Sequence, residues 1–265
     1  MLEYWYLFPI AVAISTTAMT FGIGGASMFS PFFILALKLP VTLSVGLGLF
    51  IEIFSFSSGV IGFAKKKLIN YHRAKYALLT SVPAAILGVL LMKYFSDQIV
   101  IICLAGLLLI LAILINVPDT PRLPKSARQK DTSNAQTIYT KLFPAITHTL
   151  HGLGGFFAGL TGSGLGEIND YVYLKYYKLT GAVAAGTSIF VVAITALIAS
   201  AVHATHLQPE IFTQLGRMLV WIIPGVIIGA QIGVRFSEHV PDAQRAQLTS
   251  MLFIIIAAAL LLPFF

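Results

Sequence analysis

Long apolar stretches, each close to the length of a membrane-spanning helix, recur along the whole chain. A transmembrane helix needs about 20 consecutive, predominantly apolar residues. Only 10% of the residues are charged, against roughly 25% in a typical soluble domain, so a soluble fold could not cover its surface with polar groups. The alternation typical of a transmembrane β-barrel is not seen in the sequence. We therefore predict an all-α polytopic membrane protein with apolar stretches at 4–21, 40–63, 76–95, 98–116, 141–160, 180–203, 213–234 and 245–265.

Basic residues cluster in a few of the connections between these stretches. They crowd the 65–75 connection and the 117–140 segment, whereas the 204–212 connection contains neither lysine nor arginine. Because cytoplasmic loops are enriched in Lys and Arg, we expect the first two segments in the cytoplasm, 204–212 outside, and both termini outside. This distribution accounts for the net charge of +7 without nucleic acid. The expected partners are a small anionic substrate and membrane lipid, and the oligomeric state stays open.

Two glycine-rich breaks, at 21–33 and 159–170, interrupt the apolar pattern in the same way. Gly22 and Gly24 align with Gly162 and Gly164, and further matches follow at the same spacing or after one insertion: Lys38 with Lys178, Gly46 with Gly186, Phe50 with Phe190, Pro83 with Pro224 and Gly88 with Gly229. The corresponding loops of the two halves have opposite charge character. Equivalent loops on opposite sides of the membrane predict inverted-topology repeats, a common plan among transporters.

The repeat divides the chain into three parts. We expect a first transmembrane repeat at 1–116, a basic cytoplasmic linker at 117–140 and a second, inverted repeat at 141–265. Each repeat is predicted to contain a broken-helix or re-entrant hairpin followed by three transmembrane helices. The short second arms of these hairpins are expected at 26–37 and 167–177.

The two breaks predict a binding site for an anion. Interrupted backbone at membrane depth is tolerated only where it is buried in protein or lines a cavity, and each short helix starts with free N–H groups at its positive dipole end. Two such ends converging near the midplane would hold an anion. We also expect the turn at Gly24 to need a positive φ. The alternative is that the glycines only allow close helix packing. The predicted substrate-binding residues are Gly22, Gly24, Gly25, Ser27, Gly162, Ser163, Gly164, Gly166, Thr187 and Ser188.

Ionisable residues inside the spans are costly to bury and are therefore functional candidates. Glu52 lies near the centre of the 40–63 stretch, and Glu167 opens the second short segment. Both are candidates for proton coupling. The structural alternatives are a carboxyl group hydrogen-bonded between helices for Glu52, and capping of a helix N-terminus for Glu167 and Asp170. Arg217 is a candidate anion contact, although its side chain could instead extend to the outer membrane interface.

The run "GIGG" at 22–25 with Pro31 downstream, repeated in a weaker form at 159–166, resembles the TauE/SafE family of sulfite exporter-like permeases. The resemblance implies a secondary transporter in the bacterial inner membrane. Its substrates would be small sulfur-containing anions of the sulfite or organosulfonate class, with coupling to protons or to the membrane potential. The second half departs from the pattern, because Glu167 stands where Ser27 stands in the first half and no proline matches Pro31.

Two alternatives to a transporter remain. An anion channel would share the same fold and site. An intramembrane serine hydrolase would use Ser163 as its nucleophile and would need a base nearby, but an enzyme has no need of a second glycine motif at 22–25. His148 and His151 share a helical face, and no third ligand has the spacing of a metal site. We expect these histidines to pack or to form hydrogen bonds, with no metal and no cofactor.

Overall fold

The computed structural model describes residues 2–116, 133–205 and 209–262, and every regular element in these ranges is a helix. The prediction of an all-α fold is therefore confirmed. A 3-10 turn at Leu2–Tyr4 precedes the α-helices, which are α1 (Leu7–Phe21), α2 (Ala26–Leu35), α3 (Val41–Lys65), α4 (Tyr71–Met92), α5 (Asp97–Asn116), α6 (Ser133–Thr161), α7 (Leu165–Lys175), α8 (Gly181–Ala204), α9 (Pro209–Phe236) and α10 (Asp242–Leu261).

Six of these helices, α3, α4, α5, α8, α9 and α10, are long and apolar enough to cross a membrane. The predicted polytopic membrane protein is confirmed at this level. Helices α1, α2 and α7 have only 15, 10 and 11 residues, and α2 and α7 lie where the sequence predicts short segments. A helix of 10 residues is only about 15 Å long, so it ends well inside a bilayer if it starts at either surface.

The helix α6 begins earlier than the sequence analysis expects. It starts at Ser133, inside the segment 117–140 that was assigned to the linker. Residues 133–140 contain neither proline nor glycine, so no residue of this stretch opposes the extension of the helix. Residues 117–132 and 206–208, which complete the predicted linker and the predicted external loop, lie outside the described residues.

Helix α1 packs against α9, and α4 packs against α6, through backbone contacts at glycine. A Cβ atom placed on Gly229 of α9 would lie 2.4 Å from the carbonyl oxygen of Val12, and one on Gly159 of α6 would lie 2.0 Å from that of Ala85. Small residues allow such close approach in membrane helices. Close packing, the alternative role considered for the glycines of the breaks, is thus also a role of glycines in the helix interiors.

Helices α3 and α8 form the centre of the molecule. In their apolar windows 61% of the residues are buried, compared with 33–39% in the other four candidate spans. Glu52 and Ser188 lie on these two helices and are both buried. The two most protected spans therefore carry polar side chains into the middle of the fold, where they face the breaks.

Several contacts in the first half recur in the second half at a spacing of 140 residues. A Cβ on Gly46 would meet the ring of His203, and one on Gly186 would meet the ring of Phe63, which are equivalent pairs at this spacing. Lys38 and Lys178 also share a left-handed backbone, with φ of 51° and 54°. Equivalent positions thus have similar backbone conformations and similar neighbours.

Candidate functional site

The first break separates α1 from α2 through a left-handed glycine. Gly22 has a φ of 78°, and its N–H donates to the carbonyl oxygen of Ala18 at 2.8 Å. The chain then turns through 23–25, and α2 begins at Ala26. Glycine adopts this conformation without the steric cost that a Cβ atom brings. The sequence therefore ends the first helix at Gly22, inside the protein.

The second break uses the same device between α6 and α7. Gly162 has a φ of 76° and Gly164 a φ of 111°. The left-handed positions are thus Gly22, Gly162 and Gly164. The expectation of a positive φ at Gly24 is wrong, because the chain reverses direction at Gly22 and Gly24 already approaches the first turn of α2.

The two breaks lie directly against each other. A Cβ atom on Gly166 would lie only 2.6 Å from the backbone nitrogen of Gly24, so the two chain segments touch at backbone level. The hydroxyl oxygens of Ser27 and Ser163 are 2.6 Å apart and form a hydrogen bond. Ser188 donates to the carbonyl oxygen of Gly166 at 2.9 Å. The structure therefore brings together most of the glycines and serines that the sequence predicts for the site.

The N–H groups at the helix starts donate to carboxylate oxygens of the protein itself. Ala26 N donates to Glu52 Oε1 at 2.6 Å. Gly24 N donates to Glu167 Oε1 at 3.2 Å, and Gly164 N donates to Glu167 Oε2 at 3.0 Å. The hydroxyl of Ser27 also donates to Glu167. Glu167 thus caps its own helix, as the structural alternative proposed, and it also bridges to the opposite break.

Both glutamates converge on Gly24. A Cβ atom at this position would lie 3.3 Å from Glu167 Oε1 and 3.4 Å from Glu52 Oε1. Both side chains are buried, with exposed fractions of 1% and 2%. Two carboxyl groups in one buried site repel each other when both are ionised. The charge on either carboxyl group therefore affects the charge on the other.

Two predicted site residues lie away from the breaks. Thr187 Oγ1 accepts a hydrogen bond from Asn70 N at 2.9 Å and donates to Val183 O at 2.6 Å, so it joins α8 to the start of α4. Arg217 is exposed on the surface of α9. Neither side chain contacts the glycines of the breaks in the described part of the chain. Gly25 lies beside the side chain of Glu52, whose Cγ would be 3.6 Å from an added Cβ.

The histidines and Ser163 have other partners than an enzyme would require. His151 Nδ1 is 2.6 Å from Asn169 Oδ1, and the ring of His148 lies 6.0 Å from that of Tyr76. Ser163 bonds to Ser27 rather than to either histidine. Among the residues whose side chains the structure describes, no group of three or more His, Cys, Asp or Glu could hold a metal ion.

Arg245 is a buried cation that the sequence analysis missed. Its side chain is 2% exposed, and its guanidinium donates to Thr20 O at 2.5 Å and to Ser237 O at 2.6 Å. It therefore binds a carbonyl group of the last turn of α1, next to the first break. The sequence contains a signal for this position, because Thr249 and Phe253, four and eight residues further on, are buried on the same face of α10.

The family model for the sulfite exporter TauE/SafE matches residues 7–261. The chain belongs to this family. A curated relative, the "Probable membrane transporter protein YjnA" of Bacillus subtilis (strain 168), is 25% identical over 227 residues, which cover 82% of this chain and 85% of the relative. No solved structure is significantly similar to the chain. The family and the relative support an integral membrane transporter and favour transport over an enzymatic activity.

Proposed function

We propose that the protein is a secondary transporter for small oxyanions of the sulfite or organosulfonate class, with the substrate bound where α2 and α7 begin. One observation carries this proposal. The N–H groups of Gly24, Ala26 and Gly164 converge from two helix starts onto carboxylate oxygens. A sulfonate or sulfite presents the same kind of acceptor, an anionic oxygen. The family's description as a sulfite exporter supports the sulfur-containing class.

Proton coupling follows from competition for these N–H groups. A substrate oxyanion can bind them only if Glu52 or Glu167 withdraws or loses its negative charge. Protonation neutralises the carboxylate and weakens its hydrogen bonds, because bonds to charged groups are the stronger ones. Proton uptake would then accompany anion binding, and anion release would accompany proton release. We therefore propose that substrate and proton move together in the same direction.

The two halves are proposed to be inverted repeats, 1–116 and 141–265, joined by a cytoplasmic linker. The contacts that recur at a spacing of 140 residues support this arrangement, among them the hydrogen bond that joins the equivalent positions Ser27 and Glu167. The loop charges support a topology with 65–75 in the cytoplasm, and with 204–212 and both ends of this chain outside. Alternating access would then move the halves around a site between them. The protein is proposed to reside in the bacterial inner membrane.

The transport proposal is tested with purified protein in proteoliposomes. An alkylsulfonate is a suitable substrate because it stays anionic over the accessible pH range, and acetate and phosphate serve as comparison anions. We expect saturable uptake of the sulfonate that accelerates when the outside is made acidic, with protons entering alongside. Non-saturating flux that follows only the voltage would support the alternative, an anion channel of the same fold. Equal uptake of all three anions would contradict the proposed selectivity.

The topology is tested by cysteine accessibility in a protein whose own Cys103 is replaced by serine. Asn70→Cys and Gln208→Cys lie in the two loops whose charge differs most. We expect a membrane-impermeant thiol reagent to label them from opposite sides of the membrane. Labelling of both from one side would contradict the inverted repeats.

A further inference from the structure

One face of α7 is polar from the central break to the end of the helix. Gly166, Asn169, Asp170, Tyr173 and, just beyond the helix, Tyr177 follow the spacing of a single helical face. We call these five residues the α7 stripe. Its first four members are buried, and Gly166 touches the first break at Gly24. The stripe therefore starts at the proposed binding site.

Two donors on the α7 stripe are buried without an acceptor. Asn169 and Tyr173 are both 0% exposed. The amide oxygen of Asn169 bonds to His151, but Asn169 Nδ2 and the Tyr173 hydroxyl have no hydrogen-bond partner among the described residues. Buried polar groups are nearly always hydrogen-bonded to protein or to ordered water. Two such donors one turn apart therefore point to ordered water as their acceptor, because buried waters typically bond to polar groups that would otherwise lack a partner.

The equivalent positions of the first half are apolar with one exception, Ser30, which corresponds to Asp170. The positions 140 residues before Asn169 and Tyr173 are Phe29 and Phe33, whose rings stack with centroids 5.8 Å apart and are 1% and 0% exposed. The position equivalent to His151 is Ala11, which is also buried. A polar cluster on one side of the breaks thus corresponds mainly to a buried aromatic pair on the other side.

The α7 stripe leads to the basic 65–75 connection. The Tyr177 hydroxyl donates to Thr147 Oγ1 at 3.1 Å, and the guanidinium carbon of Arg73 lies 4.1 Å above the Tyr177 ring. Arg73 lies in the first turn of α4, next to Asn70. The stripe therefore spans the distance between Glu167, at the centre, and the side that we place in the cytoplasm.

We propose that the α7 stripe and His151 form a hydrated proton path between Glu167 and the side of the membrane that carries the 65–75 connection. The inference rests on the proton coupling proposed above. Water bound to Asn169 Nδ2 and to the Tyr173 hydroxyl passes a proton along the stripe, and the carboxylate of Glu167 accepts it. The ring of His151, 5.5 Å from that of Tyr173, borders the same path. No such path runs along α2, so protons exchange with the central site from one side only.

The elements packed around His151 carry further titratable groups. In the described part of the chain these are His148 on α6, Glu167, Asp170, Tyr171, Tyr173 and Lys175 on α7, Tyr176, Tyr177 and Lys178 just beyond α7, Tyr71, His72, Arg73, Lys75 and Tyr76 on α4, and Asp97, Cys103 and His203 on α5 and α8. The acids among the nearest of these lie at the central end of the stripe, whereas the cations of α4 lie at its outer end. A proton that enters from the 65–75 side must therefore pass the cations of α4 before it reaches the acids.

Hydration of the α7 stripe is tested by thiol modification, without a transport measurement. The test uses two matched single-cysteine variants in the Cys103→Ser background. Asn169→Cys and Phe29→Cys occupy equivalent positions in the two halves, and both are buried. We expect a small, membrane-impermeant thiol reagent added on the 65–75 side to modify Asn169→Cys at least ten times faster than Phe29→Cys from either side. Equal protection of both cysteines would overturn the hydrated path, whatever the protein transports.

Proton conduction is tested by Tyr173→Phe, which removes only the orphan hydroxyl. We expect proton-coupled sulfonate uptake to fall about ten-fold, while exchange of sulfonate at equal pH on both sides stays within two-fold. Tyr94→Phe, on an exposed tyrosine, is the control and should match the wild type. If wild-type uptake moves protons and Tyr173→Phe is equally fast, the path is wrong. If wild-type uptake moves no protons at all, the proposed coupling is wrong. The proton path is then wrong as well, even if Asn169→Cys shows that this region is hydrated.

Discussion

The two breaks share one backbone design but differ in their acids. The break before α2 carries Ser27 at the position where the break before α7 carries Glu167, and these two equivalent side chains bond to each other. The N–H groups at the start of α2 are met by Glu167 from the opposite half and by Glu52 from α3. The start of α7 uses its own Glu167. One acidic side chain therefore serves both helix starts.

This difference separates the backbone geometry, which the two breaks share, from the acidic side chains, in which they differ. The left-handed glycines Gly22 and Gly162, the close approach of the breaks and the contacts at α3 and α8 recur in both halves, and they surround the place where we propose that an anion binds. Glu167, the α7 stripe and the buried Arg245 occur in one half only, at positions where the other half has serine or apolar residues. We therefore propose that the departures from the proposed repeat locate the groups that handle charge.

The largest effect is expected from an alanine at the first break. A Cβ atom on Gly22, at a φ of 78°, would lie 2.6 Å from the backbone Cα of Ala185, which cannot move aside. We expect Gly22→Ala to prevent accumulation of folded protein. Gly162 has nearly the same φ, but its nearest neighbour is the Ser30 hydroxyl at 3.2 Å, so Gly162→Ala should lose only about 1–3 kcal/mol of stability from backbone strain. Thermal unfolding in detergent measures both.

The control for this comparison is Gly106→Ala, since no atom lies within 4 Å of an added Cβ there. It should leave stability and transport unchanged. Equal effects at Gly22 and Gly162 would show that crowding by the opposite half does not distinguish the two breaks.

A smaller effect is expected from the two glutamates, and it should differ between them. Glu167 accepts from Gly24, Ser27 and Gly164, so Glu167→Gln should lower the free energy of unfolding by about 1.5–3 kcal/mol through weakened bonds. Glu52→Gln should abolish proton-driven uptake while leaving folding and sulfonate exchange intact, because an amide cannot carry the proton. Uptake and unfolding measured on both variants separate these roles. Proton-driven uptake that persists in Glu52→Gln would assign Glu52 to a structural role.

The smallest effect is expected from a single hydroxyl at the site. Ser27→Ala removes one donor, and a hydrogen bond to a charged group is worth about 1.5–3 kcal/mol, so the affinity for the sulfonate should fall roughly ten-fold or more. Arg217→Gln is the matched control, since Arg217 lies exposed on α9, and its affinity should equal that of the wild type. Concentration-dependent uptake gives both values. A weaker affinity in Arg217→Gln than in Ser27→Ala would move the site towards α9.

The sequence predicts much of this fold because apolar stretches and glycine-rich breaks are local signals. Apolar length identifies α3, α4, α5, α8, α9 and α10, and the glycines at 22–25 and 162–166 locate both breaks. The breaks are predicted to meet because the repeat relates them. Apolar length does not reveal that α6 begins at Ser133, because most of the residues at 133–140 are polar.

The sequence does not predict which side chains fill the site. Whether Glu52 reaches Ala26 depends on how α3 packs beside α2, a contact between distant segments. Arg245 follows the connection between α9 and α10, and its burial depends on the face of α10 that it shares with Phe253. Arg217 was a candidate because it lies within a span, but the face that it occupies turns outward. That a residue lies within a span therefore indicates less about its function than the face of the helix on which it lies.

The central claim is that an oxyanion replaces protein carboxylates at the paired helix starts, and an experimental structure with a bound alkylsulfonate tests it most directly. We predict sulfonate oxygens within hydrogen-bonding distance of the N–H groups of Gly24, Ala26 or Gly164, with the carboxyl group of Glu52 or Glu167 displaced from its present donor. A sulfonate bound elsewhere, with both carboxyl groups still on these N–H groups, would contradict the claim.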